Sequence, residues 1–153
     1  MKNILTTLAL TTALVMPGAV MARDITLTGT LKTYGGQGAY LAVYVTNANG
    51  GYVGTVWVGG GKSKYFQHFT HWSRATGGNV GNAMTGASVG SGRTFQVTFN
   101  LADTLIDAGY QLRIDAAVEN MRDAPSDIVI PLTSDNFGTA NSGRRYVRSV
   151  FLQ

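Results

Sequence analysis

The sequence predicts an all-β fold: a two-sheet antiparallel, immunoglobulin-like β-sandwich of about seven strands, with one short helix and one long glycine-rich loop. Three observations support this. Apolar and polar residues alternate with a period of two over several short segments, as in strands with one buried face. Turns rich in glycine and asparagine separate those segments. One stretch, from Lys64 to Arg93, does not alternate and must be organised differently.

The first 22 residues are predicted to be a secretory signal peptide. A basic residue near the start precedes an apolar run over 4–15, and small residues stand at the positions that a signal peptidase reads before the predicted cleavage site after Ala22. The apolar run is too short to cross a bilayer as a helix. We therefore expect a periplasmic or secreted mature domain over 23–153, without a transmembrane anchor.

Composition excludes several classes of site and partner. The chain has no cysteine, so disulfides, thiolate metal sites and lipid attachment through a cysteine are excluded. Its net charge is +4, but no acidic residue lies between Ile25 and Ala102, whereas seven lie from Asp103 to Asp135. One part of the surface is thus predicted to be basic and another acidic. Lysine and arginine are too few for nucleic acid to be a partner, and no binding motif for it is present.

The first part of the mature chain predicts three strands. Apolar residues alternate with threonines over 25–32, which indicates a half-buried strand. A hairpin follows, with strands over 40–46 and 52–58. Between them, Asn49-Gly50 supplies residues that tolerate the positive φ angles of a tight reversal.

The stretch from Lys64 to Arg74 predicts a short helix. Tyr65, Phe69 and Trp72 have the i, i+4, i+7 spacing of a helical stripe, which would pack on the sandwich. The next segment, 75–92, contains six glycines and few large apolar residues, and it predicts a loop. Loops of this length are usually functional or mobile.

Four strands are predicted in the rest of the chain, over 94–100, 110–119, 127–132 and 146–152. The first two alternate cleanly between apolar and polar residues. Pro131 has no amide hydrogen to donate, so it places the third of these strands at a sheet edge or ends it there.

Five segments, taken in order, resemble a bacterial family of predicted periplasmic proteins that is defined only as a domain of unknown function. The segments are YLAVYVTNANGGYVGTVWV, KYFQHFTHWSRA, NAMTGAS, TFQVTFN and AGYQLRIDAAVEN. The resemblance covers Tyr40 to Asn120. It implies a periplasmic sandwich similar to immunoglobulin-like folds, encoded near membrane flavin and iron reductase systems with PepSY-type membrane proteins and flavin transferases. Asn82 departs from the family pattern, which has an aspartate there. Ser73 and Phe99-Asn100 depart from it as well, at positions where tryptophan is common.

His68 and His71 are the first candidates for chemistry. In a helix they lie about 60° apart around the axis, so both would reach one metal ion. Two histidines make an incomplete site, however, and Lys64 on the same flank opposes a cation. We favour surface or half-buried histidines. A copper or haem site that recruits Met84 or Met121 is a further alternative.

Together with Lys64 and Arg74, the two histidines also form a potential cationic surface. Such a surface suits a phosphate or carboxylate, for example the tail of a flavin or a lipid headgroup. Because few charges are involved, an ordinary solvated face is the favoured interpretation.

The loop from Asn82 to Ser88 offers hydroxyl groups and backbone amides. Successive amides around Thr85 and Gly86 would form a concavity for an anion. The hydroxyls would alternatively satisfy backbone groups of the loop itself.

The favoured function is an exported, non-catalytic periplasmic accessory or binding module that serves a membrane flavin or iron redox system or a metal-uptake system. No cysteine nucleophile and no G-x-S-x-G elbow supports catalysis. No resident cofactor is predicted, although contact with a metal, a haem or a flavin is left open, and the expected partner is a membrane redox protein. The candidates for a metal are His68 and His71 alone. The candidates for binding a ligand or partner are Lys64, His68, His71, Trp72, Arg74, Asn82, Thr85, Gly86 and Ser88. The alternatives are a metal- or haem-binding protein that uses the two histidines, and an assembly or adhesion subunit that uses the sheet edges near Pro131 and the C-terminal strand.

Overall fold

The computed structural model of the chain describes residues 4–5 and 21–153. The predicted signal peptide and its cleavage site lie almost entirely outside the described residues, so they stay predictions. Within the described part of the chain, no helix is long and apolar enough to cross a membrane.

Strands dominate the chain. In order they are β1 (Ile4–Leu5), β2 (Ala22–Leu31), β3 (Tyr40–Thr46), β4 (Tyr52–Gly59), β5 (Met84–Gly86), β6 (Thr94–Ala102), β7 (Gln111–Ala117), β8 (Ala124–Pro131), β9 (Asn141–Ser142) and β10 (Val147–Leu152). The α-helix α1 spans Thr70–Thr76, and three 3-10 helices span Ser63–His68, Asp103–Leu105 and Ser134–Asn136.

The strands form two five-stranded sheets, which confirms the predicted all-β sandwich. The first sheet has the order β1-β6-β2-β10-β9 and the second has the order β5-β4-β3-β7-β8. Neighbours are antiparallel, apart from the parallel pairs β1–β6 and β4–β5. Seven of the described strands have six or more residues, and they correspond to the predicted set.

The main core lies between the two sheets and follows from the period-two pattern. Val43 and Val45 of β3 pair in register with Ile114 and Leu112 of β7, and all four are fully buried. Each buried side chain of this size contributes about 1.5–3 kcal/mol. The predicted hairpin turn is also confirmed, since Gly50 adopts a φ of 80° between β3 and β4.

The 3-10 helix Ser63–His68 and α1 cover the outer face of the second sheet. The buried stripe is Phe66, Phe69 and Trp72, so the prediction that it begins at Tyr65 was wrong. The chain winds as a 3-10 helix up to this point, which places residues three apart on one face. Tyr65 is only half-buried and packs edge-on against Tyr40, with ring centroids 5.6 Å apart.

The predicted loop over 75–92 contains one short strand. β5 pairs with the end of β4, and Val89 forms a further bridge with Ala39. Gly86 lies so close to the sheet that a Cβ atom there would stand 3.0 Å from the Trp57 ring. Backbone pairing therefore attaches the loop to the sandwich. The small and polar side chains of the loop gave no sign of this pairing in the sequence.

β8 is the edge strand of the second sheet, and it ends at Pro131. The edge position predicted from this proline is confirmed. The strand begins earlier than predicted, at Ala124.

Candidate functional site: two grooves beside a docked helix

Asp115 on β7 anchors α1 to the outer face of the second sheet. Its carboxylate is completely buried and accepts three hydrogen bonds: from the Tyr44 hydroxyl at 2.8 Å, the Ser126 amide at 2.7 Å and the Trp72 amide at 2.8 Å. The Trp72 amide lies in the first turn of α1, where amides have no partner within the helix. The carboxylate therefore caps this helix from a neighbouring strand.

The alternation along β7 places Asp115 at this position. Leu112, Ile114 and Ala116 face the main core, so Asp115 points away from it and towards α1. The Trp72 side chain is fixed on the same face, since its indole N–H donates to the Thr55 hydroxyl at 2.9 Å. Asp115 was not among the predicted site residues. Its signal was an aspartate in the middle of a strand, where this residue type is disfavoured.

Burial, followed by the negative charge of Asp115, raises the pKa of Tyr44 well above its ordinary value. An unfolded tyrosine loses its proton near pH 10, whereas the folded chain holds the Tyr44 proton to a higher pH. The stability that this difference supplies is present below about pH 10 and is lost as the pH rises towards the folded pKa.

We therefore expect the free energy of unfolding to fall as the pH rises above about 10. A Tyr44→Phe variant should show a shallower fall, measured by urea unfolding over a series of alkaline pH values. Burial also raises the pKa of Tyr34 and Tyr146, so some slope should remain. Identical slopes for the wild type and the variant would contradict this role of Tyr44.

One groove, here called the His68 groove, opens beside the 3-10 helix and has a volume of about 520 Å³. The His68 imidazole Nδ1 lies 3.1 Å from an Asp123 carboxylate oxygen. The wall carries both signs of charge together with aromatic rings. Its residues include Tyr40, Lys62, Tyr65, His68, Ser88, Glu119 and Asp123.

A second groove, here called the Arg113 groove, lies beside α1 and has a volume of about 370 Å³. Arg74 and Arg113 supply its charges, His71 adds an imidazole, and Tyr44 and Tyr52 supply its aromatic wall. It shares no lining residue with the His68 groove.

The two predicted metal-binding histidines line different grooves. Whereas His68 contacts Asp123, the His71 Nδ1 lies 2.8 Å from the Ser126 hydroxyl. The part of the chain that the structure describes contains no cluster of three or more His, Cys, Asp or Glu side chains suited to a metal ion. Metal binding by the two histidines stays a prediction, and metal analysis of the purified protein would test it.

The other two cations of the predicted helix face, Lys64 and Arg74, do not lie together at one site. The Lys64 ammonium lies 5.0 Å from the centroid of the Tyr65 ring, and Arg74 belongs to the Arg113 groove. Trp72 is completely buried, and its observed place is in the packing of α1 on the sheet.

The loop residues are also separated. Ser88 lines the His68 groove. Asn82 and Thr85 are exposed, and Gly86 packs against the Trp57 ring. The structure thus brings His68 and Ser88, which are 20 residues apart in the sequence, to one groove.

Residues 22–149 match the family model described as "Predicted periplasmic protein (DUF2271)". The chain belongs to this family. The resemblance drawn from the sequence is thereby confirmed, and the DUF2271 domain is assigned to a family of predicted periplasmic proteins of unknown function. No curated protein and no solved structure matches it.

Proposed function

We propose that this DUF2271 domain is a non-catalytic periplasmic accessory module, which docks through the His68 groove on a membrane protein of a flavin or iron redox system or a metal-uptake system. The observation that carries the proposal is the meeting of His68 and Ser88 in one groove. They come from the two segments that the sequence singled out, the helix and the glycine-rich loop.

The walls of the groove are held in place before any partner arrives. On one side, Asp115 and the aromatic cluster of Phe66, Phe69 and Trp72 fix the helical segment. On the other side, pairing of β5 with β4 fixes the loop that ends at Ser88. A preformed surface loses little conformational entropy on binding, which favours recognition of a partner.

The chemistry of the groove suits a protein segment. Tyr40 and Tyr65 offer rigid aromatic area, a common source of binding energy at interfaces. Lys62 on one side and Glu119 with Asp123 on the other offer charges of both signs, which would set the orientation of the partner.

Photo-crosslinking in living cells tests this proposal. A photoreactive amino acid is placed at Gln37, which is exposed and lines the groove, and in a matched control at Thr104, which is exposed outside it. We expect a membrane redox or metal-uptake protein to be crosslinked from the first position and not from the second.

Other crosslinking results would contradict the proposal. The same product from both positions would show that the groove is not the contact. Copies of this chain as the main product from Gln37 would favour the assembly alternative. A soluble enzyme as the main product would contradict the proposal that the partner is a membrane protein.

A further inference from the structure

We propose that the Arg113 groove is a second binding site, which holds the phosphoryl group of a phosphate monoester. This site is separate from the proposed docking groove, since the two share no lining residue. It does not depend on the identity of the membrane partner.

The first support is the charge of the groove. Among the residues that line it, His71, Arg74 and Arg113 are basic and none is acidic. The His68 groove, by contrast, contains Glu119 and Asp123 beside its cations. A groove with basic side chains alone favours an anion, and a doubly charged oxyanion gains more from it than a singly charged one.

The second support is the way in which Arg113 is held. Its Nε donates to the Thr46 hydroxyl at 3.0 Å, Nη1 to the Ser126 hydroxyl at 3.2 Å and Nη2 to the Gln111 side-chain oxygen at 2.8 Å. These three acceptors are neutral. A guanidinium has five N–H groups, so one hydrogen remains on each terminal nitrogen. These two hydrogens are left to donate to the oxygens of a bound phosphate.

The charge of Arg113 is not neutralised by a direct ion pair. Among the described residues the ion pairs are Arg23 with Asp103 and His68 with Asp123. The buried acid closest along the strand is Asp115, two residues away. Its oxygens already accept hydrogen bonds from Tyr44, Trp72 and Ser126.

The third support is the convergence of α1 on the same point. The Ser126 hydroxyl contacts both the His71 Nδ1, at 2.8 Å, and Arg113. Arg74 follows His71 by three residues, which places it on the same side of the helix. Ser126 itself has a φ of 45°, an uncommon value for a residue other than glycine, at an irregular point of the β7–β8 pairing. This backbone geometry brings its hydroxyl to the two basic side chains.

The groove also has room for more than inorganic phosphate. Its volume is about 370 Å³, and Tyr52 at its wall is 38% exposed. An aromatic face beside a cationic pocket fits the organic part of a small phosphate monoester. We therefore assign the site to a monoester rather than to the free ion.

Calorimetric titration of the purified protein with phenyl phosphate at low ionic strength tests the assignment. We expect saturable binding to one site, and about tenfold weaker binding for Arg74→Gln, which removes one charge-assisted contact. Ala75→Glu, at an exposed position of the groove, should abolish binding by adding a carboxylate. Arg93→Gln is the matched control, since Arg93 is exposed and lies outside the groove. It should bind as the wild type does.

Circular dichroism and thermal unfolding should show that all three variants fold. The absence of saturable binding by the wild type would overturn the assignment. Equal weakening by Arg74→Gln and Arg93→Gln would also overturn it, because it would show attraction by net charge alone.

Sedimentation with vesicles of phosphatidic acid or phosphatidylcholine identifies the source of the ligand. Retention on phosphatidic acid that depends on Arg74 indicates a lipid headgroup, and binding of phenyl phosphate without retention indicates a soluble monoester.

Discussion

Replacing Asp115 with alanine is expected to lower the free energy of unfolding by about 3–5 kcal/mol. The carboxylate is completely buried and accepts hydrogen bonds from Tyr44, Ser126 and Trp72. Without it, two backbone amides and one hydroxyl remain buried without their acceptor, and each carries a desolvation cost of about 1–3 kcal/mol. The first turn of α1 also loses its cap, so the helix should be the first element to loosen.

Urea unfolding followed by circular dichroism measures this loss. Asp115→Asn keeps the shape of the side chain but replaces one acceptor oxygen with a donor, so it should also destabilise the fold, although less than alanine does. Asp135→Ala is the control, because Asp135 is an exposed acid. A loss for Asp115→Ala that equals the loss for the control would contradict the anchoring role.

The second large effect is expected at Asp127 on β8, which is 1% exposed. One carboxylate oxygen accepts the amides of Arg144 and Arg145, and the other accepts those of Tyr146 and Val147, both at 2.8 Å. These four donors hold the segment that enters β10. Asp127→Ala removes the shared acceptor of all four, and we expect it to lower the free energy of unfolding by about 3–5 kcal/mol.

Hydrogen exchange separates this effect from that of Asp115. In Asp127→Ala, the amides of Tyr146 and Val147 should lose protection, whereas the Trp72 amide should keep it relative to the global stability. Asp115→Ala should show the opposite pattern. Loss of protection spread evenly over both regions in both variants would mean that the two carboxylates do not act locally.

The strands were predictable because the alternation of side chains carries the relevant information. Val43 and Ile114 lie at apolar positions of a period-two pattern, and both are in the core between the sheets. The turn at Gly50 and the edge position of Pro131 follow from backbone properties of the two residues themselves. Such local signals do not require knowledge of what packs against the strand.

The helical layer was only partly predictable. A period-two pattern does not distinguish a face in water from one covered by a helix, so the burial of Asp115 was missed. The α-helical period placed Tyr65 on the buried face, whereas the buried residue is Phe66. The reason is that this segment is a 3-10 helix, which has three residues per turn. β5 was missed because its three residues, Met84–Gly86, are too few to show a period-two pattern.

The candidate grooves depend on contacts between distant parts of the chain. His68 meets Asp123 and His71 meets Ser126, each across 55 residues. The spacing of the two histidines suggests a shared ligand on an uninterrupted helix. The chain instead changes from a 3-10 helix to α1 at Phe69, and the two imidazoles line different grooves.

Both grooves border the segment that Asp115 and the aromatic cluster hold against the sheet. A stable helical layer is therefore a precondition of both proposed sites. Substitutions within the grooves should change binding without unfolding the domain, since Ser88 and Arg74 are exposed.

Docking through the His68 groove is the proposed role of this periplasmic accessory module. Its most direct test is the dissociation constant between the purified domain and the membrane protein captured from position 37. Ser88→Trp fills the groove, and Ser142→Trp places the same side chain at an exposed position outside it. We expect Ser88→Trp to weaken binding at least about tenfold, a loss of about 1.4 kcal/mol, and Ser142→Trp to bind as the wild type does. Wild-type affinity for a folded Ser88→Trp variant would contradict the claim.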